Sequence, residues 1–592
     1  MQQITRQFAT TDDGRQFHYR RAGSGPVVVL RHESPRSSAA LLPLIAALAA
    51  RFTVIAIDTP GYGLSEPLAI ESPTIADYAA ACAPELAALG IDRCALYGNH
   101  TGACVAIEFA AQQPERVSGL VLEGLPLFTP EQRTDLVAHY APDTSPRIDG
   151  GHLAQAWSIR RDQLMYFPWY RRSPETRIDA DLAAPGLVEH GLHAAVLDHL
   201  TATPSYALSY RAALSYDPEP ALRAARCPVI VATGERDLLV SHLDRLPGDA
   251  ANVRAVRLPG EQKALHAGLA ELIAEVAVPG SSAPAPAAQL PRSGGISKTY
   301  AATGYGQLLV RLAGAPLACG DAGTGTGTGV AVRPLVLLHG SPTSARDLEP
   351  LLGALAATSP GRPLVALDTL GNGDSDKPDP LRHPAFAEPR IADYAPVVVA
   401  ALDALGIMEF DLYGTHTGAA IAAETAILAG SRCGSVILDG VAMFDVETVA
   451  DFDRNYFVDL TPRWDGTHLL TAWAVYRDST LWFPWYRRTR ENALDFPVRT
   501  AEQLQSAVVE FLKSGTTYAL SYRAAFRWDA ARRLPALGAR TLVTTHPKDP
   551  LNALTPEAAA LVPNGTGQTS PARLPEIAAF YARFLDGGDP AP

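Results

Sequence analysis

Two pentapeptides hold the residues best suited to proton chemistry. Gly98-Asn-His-Thr-Gly102 and Gly414-Thr-His-Thr-Gly418 each set one histidine between glycines two positions before and two after. Imidazole titrates near neutral pH and serves as acid or base. His100 and His416 could activate water against an ester, lactone or epoxide. They could equally take a proton from carbon or hydroxyl in a lyase or isomerase step, or act as transient nucleophiles. Thr101 and Thr417 are the alternative nucleophiles, but putting them at the centre breaks the glycine spacing. Each half also supplies an aspartate that could orient an imidazole, Asp237 in GERD and Asp549 in HPKD. Both aspartates also suit an ordinary solvated turn.

A second set of paired residues lies in PRIDGGHLAQAWSIRRD and PRWDGTHLLTAWAVYRD. The Asp-Gly step reads as a helix start. His152, Trp157 and Arg161 then fall on one face, as do His468, Trp473 and Arg477. If that face looks onto the paired histidines, it offers a cation, an imidazole and an aromatic wall. The competing reading is that these residues only stitch one layer to another. Glu123 and Asp439 end apolar runs and are expected near the same cleft. No His, Cys, Asp or Glu cluster has a metal-ligand spacing.

The elements that must position these residues occur twice. LYGNHTGA answers LYGTHTGA, FPWYRR at Phe167 recurs at Phe483, and YALSYRAA at Tyr206 recurs at Tyr518, in the same order. This is a gene duplication. Residues 1–277 form one predicted domain and 296–592 the other, with a Pro/Ala/Ser/Gly tether from Val278 to Gly295. A further low-complexity stretch, GTGTGTG, begins at Gly323. Five short β-branched runs in the first half end at His32, Asp58, Gly98, Gly124 and Gly234. Such runs suit strands buried on both faces, and helical segments alternate with them, so the predicted class is α/β with a mostly parallel sheet. The helix starting at Ile75 is read as one segment. Roughly residues 126–225 and 442–537 break the rhythm and read as mostly helical caps over the carboxyl ends of the strands.

In this order the motifs resemble the α/β-hydrolase superfamily, especially its capped branch of epoxide hydrolases, dehalogenases and ester hydrolases. HGSPTS at His339 looks like the oxyanion-hole loop. DTPGYGLSEP at Asp58 and DTLGNGDSDKP at Asp368 look like the family's DxxGxGxS turn. The two histidine pentapeptides occupy the place of the nucleophile elbow. The family's usual apex is Ser, Asp or Cys; here it is histidine in both copies. The resemblance also implies no cofactor, a small-molecule substrate and a general-base histidine before the last helix. His266 stands there in the first half, and the second half has none. Conversely, the second half keeps His339-Gly340 where the first has His32-Glu33. A carboxylate beside an oxyanion hole opposes acyl chemistry. The expected activity is hydrolysis or lysis of a small, partly apolar carbonyl or ester-like compound. The rival is a ligand- or partner-binding relative with one or both halves inactive.

Composition excludes other classes. Net charge is −12 with 47% apolar and 19% charged residues, and no basic cluster suggests nucleic-acid binding. The start of the chain has no basic segment followed by an apolar core. No run reaches the roughly 18 apolar residues of a membrane span. Six cysteines without a CxxC pair predict reduced thiols and a cytoplasmic setting. The duplication predicts an intramolecular pair resembling a homodimer.

Overall fold

The structure is a computed structural model that describes residues 3–278, 283–284, 295–317 and 332–589. Most of the expected tether, the Gly323 stretch and Cys319 lie outside the described residues. The chain divides into two compact units, and residues 146–150 group with the second.

In the first unit the apolar runs become β3 (Val27–Arg31), β4 (Thr53–Ile57), β5 (Cys94–Asn99), β6 (Val117–Glu123) and β7 (Val229–Gly234). Successive side chains of these strands enter opposite layers. Val27, Val29, Ile55 and Ile57 join one apolar cluster, while Val28, Leu30, Val54 and Ala56 join another. A period of two with both faces buried requires helices on both sides of the sheet. The antiparallel strands β1 (Thr5–Thr10) and β2 (Gln16–Ala22) extend one edge, and β8 (Val253–Leu258) closes the other. The sheet order is β1-β2-β4-β3-β5-β6-β7-β8. Only the pairs β1/β2 and β2/β4 are antiparallel.

The second unit repeats the plan with β9 (Ser297–Thr303), β10 (Gly306–Gly314), β11 (Leu335–Leu338), β12 (Pro363–Leu367), β13 (Phe410–Thr415), β14 (Cys433–Asp439), β15 (Arg540–Thr545) and β16 (Gly565–Thr569). Their order is β16-β15-β14-β13-β11-β12-β10-β9. Between β6 and β7 the chain is helical over Pro130–His139, Gly151–Gln163, Ala194–Thr201, Tyr206–Ser215 and Glu219–Ala224, and the segment between β14 and β15 matches it.

The single helix expected from Ile75 is two, Ile75–Ala80 and Cys82–Ala88. The second buries Glu85 completely, where Arg15 (3.0 Å) and Arg31 (2.5 Å) clasp its carboxylate. Arg31 is the last residue of β3, so this triad anchors the loop that follows. No helix of the described residues is long and apolar enough to cross a membrane. Cys82, Cys94, Cys104, Cys227 and Cys433 are buried free thiols.

Candidate active site

Among the described residues, His100 and His416 are the two non-glycine residues with positive φ, at 46° and 50°. Each sits between a strand end and a helix start. His100 separates β5 from the helix Thr101–Gln112, and His416 separates β13 from the helix Thr417–Ala429. L-residues in such backbone regions cost on the order of 1–3 kcal/mol and cluster at functional turns. The flanking glycines are steric necessities. A Cβ on Gly98 would lie 2.3 Å from the Gly102 carbonyl oxygen, and one on Gly414 would lie 2.1 Å from that of Gly418. Room for the imidazoles comes from a second glycine pair. A Cβ on Gly124 would meet His100 Cδ2 at 2.3 Å, and one on Gly440 would meet His416 Cδ2 at 2.9 Å.

Both rings are held by the aspartate that follows the late strand. His100 Nε2 lies 3.0 Å from Asp237 Oδ2, and His416 Nε2 lies 2.9 Å from Asp549 Oδ2. The other Asp237 oxygen accepts the Leu239 N–H at 2.7 Å, and that of Asp549 accepts the Leu551 N–H at 2.8 Å. Burial opposes charge on the His100 ring. The carboxylates of Asp237, Glu33 and Glu123 outweigh it and lift the ring to about 9. Partial desolvation by the surrounding protein opposes charge on His416, but Asp549 and Asp439 raise it above its ordinary value. Asp237 and Asp549 resist burial because of the paired imidazole and stay below the usual carboxylate range.

The histidine partner of the acid is therefore at the elbow, not before the last helix. His266 is half-buried on the helix Gln262–Val276, where burial lowers it and Glu261 partly offsets this. It makes no hydrogen bond to Asp237 or His100. His32 and His339 give both ring nitrogens to the loop backbone. His32 Nδ1–H donates to the Glu33 carbonyl (2.8 Å), and its Nε2 accepts the Thr59 N–H (2.9 Å). His339 does the same with the Gly340 carbonyl (3.0 Å) and the Thr369 N–H (3.0 Å). With both ring nitrogens used by the backbone, these imidazoles shape the loop. Burial depresses both, His339 to about 4.

The loop residue after each of them faces the elbow. Glu33 Oε2 lies 3.5 Å from His100 Nδ1. Gly340 leaves that space open, and a Cβ there would be 3.8 Å from His416 Nδ1. Nearby, Glu123 accepts a hydrogen bond from Tyr97, and burial pushes it up to about 7. Asp439 accepts from Tyr413 (2.8 Å) and Tyr581 (3.2 Å), and burial raises it too. These tyrosines escaped the sequence reading, because a tyrosine in a strand or terminal helix reads as core. Thr101 and Thr417 are buried as the first helical residues.

The second unit holds a cavity of about 770 Å³. His339, Gly340, His416, Thr417, Asp439 and Asp549 line it, under aromatic walls that include Phe444, Phe483 and Phe526. His468, Trp473 and Arg477 do not line it. His468 and Trp473 are buried in the helix Thr467–Ser479, and Arg477 lies 3.7 Å from Asp478. Tyr476 and Arg499 stand at the cavity instead, Arg499 donating to the Tyr476 hydroxyl at 2.9 Å. In the first unit His152 and Trp157 are likewise buried, and Arg161 lies 3.7 Å from Asp162. Helical spacing defined a common face but not its direction. The fold also gathers Asp368, Asp374 and Glu510. Arg311 (2.6 Å from Asp368) and Lys513 (2.9 Å from Asp374, 3.0 Å from Glu510) already meet their charge.

With this geometry in view, the comparisons agree with the fold. The alpha/beta hydrolase fold model matches residues 26–266 and again 333–568, so the chain belongs to that family, in tandem. It is 40% identical over 119 residues to an uncharacterised protein of Mycobacterium tuberculosis, covering 20% of this chain and 34% of that one. It is 30% identical over 145 residues to haloalkane dehalogenase 2 of the same organism, covering 24% and 50%. The chain thus spans between a third and a half of the length of these curated relatives. Among solved structures it is similar to epoxide hydrolase A from Mycobacterium thermoresistibile, with 20% identity, TM-score 0.37 and coverage of 47% of this chain and 100% of that one. It is also similar to the enol-lactonase from Burkholderia xenovorans LB400, with 21% identity, TM-score 0.33 and coverage of 45% and 96%.

Proposed function

We propose that this chain is a hydrolase of small, partly apolar esters, lactones, epoxides or related carbonyl compounds, and that its elbow histidines work by acid–base chemistry in place of a serine nucleophile. The observation that carries this reading is the direct bond from each elbow imidazole to the late-strand aspartate. The usual three-residue relay is shortened to two. With Nε2–H donating to Asp549, His416 Nδ1 keeps its lone pair, which the Thr415 hydroxyl approaches at 3.2 Å, and a water that displaces this contact can give its proton to Nδ1.

The site supports the rest of the reaction. His416 is 47% exposed, which gives water access to Nδ1. The Thr417 N–H opens a helix with no side-chain cap, and free N–H groups at a helix N-terminus stabilise a developing oxyanion. Water attacks the carbonyl or epoxide carbon as its proton passes to Nδ1, and that proton then goes to the departing oxygen. The aromatic walls suit an apolar substrate body.

The test is turnover of an ester, lactone and epoxide panel by wild-type chain and by His416→Ala. Losing a positioned base costs about 10²–10⁴-fold. A loss of that size with an unchanged circular dichroism spectrum supports the reading. Undiminished turnover in His416→Ala and also in the His100→Ala/His416→Ala double variant rejects it. Absence of turnover on every probe favours the ligand-binding alternative.

A further inference from the structure

The two units differ in what faces Nδ1 of the reacting ring: Glu33 Oε2 lies 3.5 Å from His100 Nδ1, whereas the Thr415 hydroxyl lies 3.2 Å from His416 Nδ1. We infer that Glu33 divides the labour between the elbows: in the first unit Glu33 is the proton acceptor and His100 the proton donor, whereas in the second unit His416 is the acceptor. This inference rests on the elbow-histidine reading above and adds a second activity, proton transfer next to a carbonyl group.

The geometry is specific. His100 Nε2 is committed to Asp237, and its Nδ1 faces Glu33 Oε2 at 3.5 Å. The Glu33 and His100 side chains are 29% and 34% exposed, so one small molecule can reach both. At the matching place the second unit has Gly340, which carries no acid. The charged groups around His100 come from every neighbouring element. Asp237 follows β7, Glu33 follows β3, Glu123 ends β6, and His242 approaches from the turn Val240–Arg245. Arg36 stands beyond Glu33 at 3.8 Å. Three carboxylates against a weakly basic, buried His242 favour imidazolium at His100.

A carboxylate beside an imidazolium suits a ketone with a hydrogen on the carbon next to the carbonyl. Glu33 takes that hydrogen as a proton, and the C–H electron pair becomes the C=C bond of the enol. The carbonyl oxygen takes the Nδ1 proton of His100. Reversal returns the Glu33 proton to carbon and the enol proton to Nδ1. Nothing else is consumed, and the net result is hydrogen exchange or isomerisation.

The experiment uses the full chain carrying His416→Ala, with acetophenone in D₂O as probe. Exchange of its methyl hydrogens is followed by proton NMR against a buffer blank. Exchange above the blank, reduced at least about tenfold by adding Glu33→Gln, is the expected result. In parallel, NMR titration of the imidazoles, assigned with His100→Gln and His416→Gln, reads the rings directly. The His100 midpoint lies above that of His416 and falls by about one pH unit in Glu33→Gln, as for the loss of a carboxylate within 4 Å. A His100 midpoint unmoved by Glu33→Gln, or exchange no faster than the blank, overturns the inference. Neither readout depends on ester turnover by His416, so its failure and that of the preceding reading are distinguishable.

Discussion

A histidine at a tight, positive-φ turn is expensive unless its surroundings are built for it. Gly124 and Gly440 are so built, since each gives up the space that the imidazole fills. The acid pairing then sets how the rings titrate. Asp549 raises His416, so its basic form accumulates only as pH rises through that raised value. Hydrolysis is therefore expected to grow with pH. In Asp549→Asn the acid limb of kcat/KM moves to lower pH, toward the ordinary imidazole value near 6.5, while the plateau falls because the ring is less well oriented. A limb that stays in place excludes His416 as the base. In the first unit, the His100–Asp237 pair links stability to pH. The folded His100 value of about 9 exceeds the unfolded value of 6.5, so its contribution is complete below about pH 6.5 and fades as pH rises through 9. The gap in urea midpoint between wild type and Asp237→Asn is expected to narrow over that range.

At the scale of elements, much of this was readable from the sequence. Continuous β-branched runs placed β3 to β7 within a residue or two, because strands buried on both faces leave little choice of composition. Glycine spacing found the elbows because backbone oxygens exclude a Cβ there. Where the pattern was weak the reading failed. The edge strands VRAVRL and GTGQT are largely exposed, and neither shows the continuous apolar run of the central strands. Whether His152 and His468 face the cleft or stitch the cap to the core stays open in the sequence, because spacing gives a face without a direction; both are buried. The Arg15–Glu85–Arg31 triad is invisible without the fold, and it predicts a large effect. Glu85→Gln leaves two arginines, both at most 9% exposed, sharing a lost counter-charge, and should destabilise the first unit by about 3–5 kcal/mol in chemical denaturation. Gly124→Ala forces an L-residue to φ 58° and a Cβ into His100. A cost of about 1–2 kcal/mol from the backbone alone is expected, together with a displaced ring.

At the scale of the molecule, duplication preserved the sheet, the elbow histidine and its acid, while Glu33 and Gly340 diverged at the loop that faces the ring. Two sites that need opposite protonation states must respond oppositely to pH within one chain. On the proposed chemistry, ester hydrolysis requires neutral His416 and is expected to rise with pH. Proton exchange on a ketone requires ionised Glu33 together with His100 imidazolium, and it falls as pH passes through about 9. Measured on the same wild-type preparation, the two rates are expected to cross, with exchange dominating at the lower and hydrolysis at the higher end of the neutral-to-alkaline range. His416→Ala removes the rising curve and leaves the falling one in place. Parallel curves would mean that a single kind of site does both, and the difference between Glu33 and Gly340 would then have no part in the chemistry.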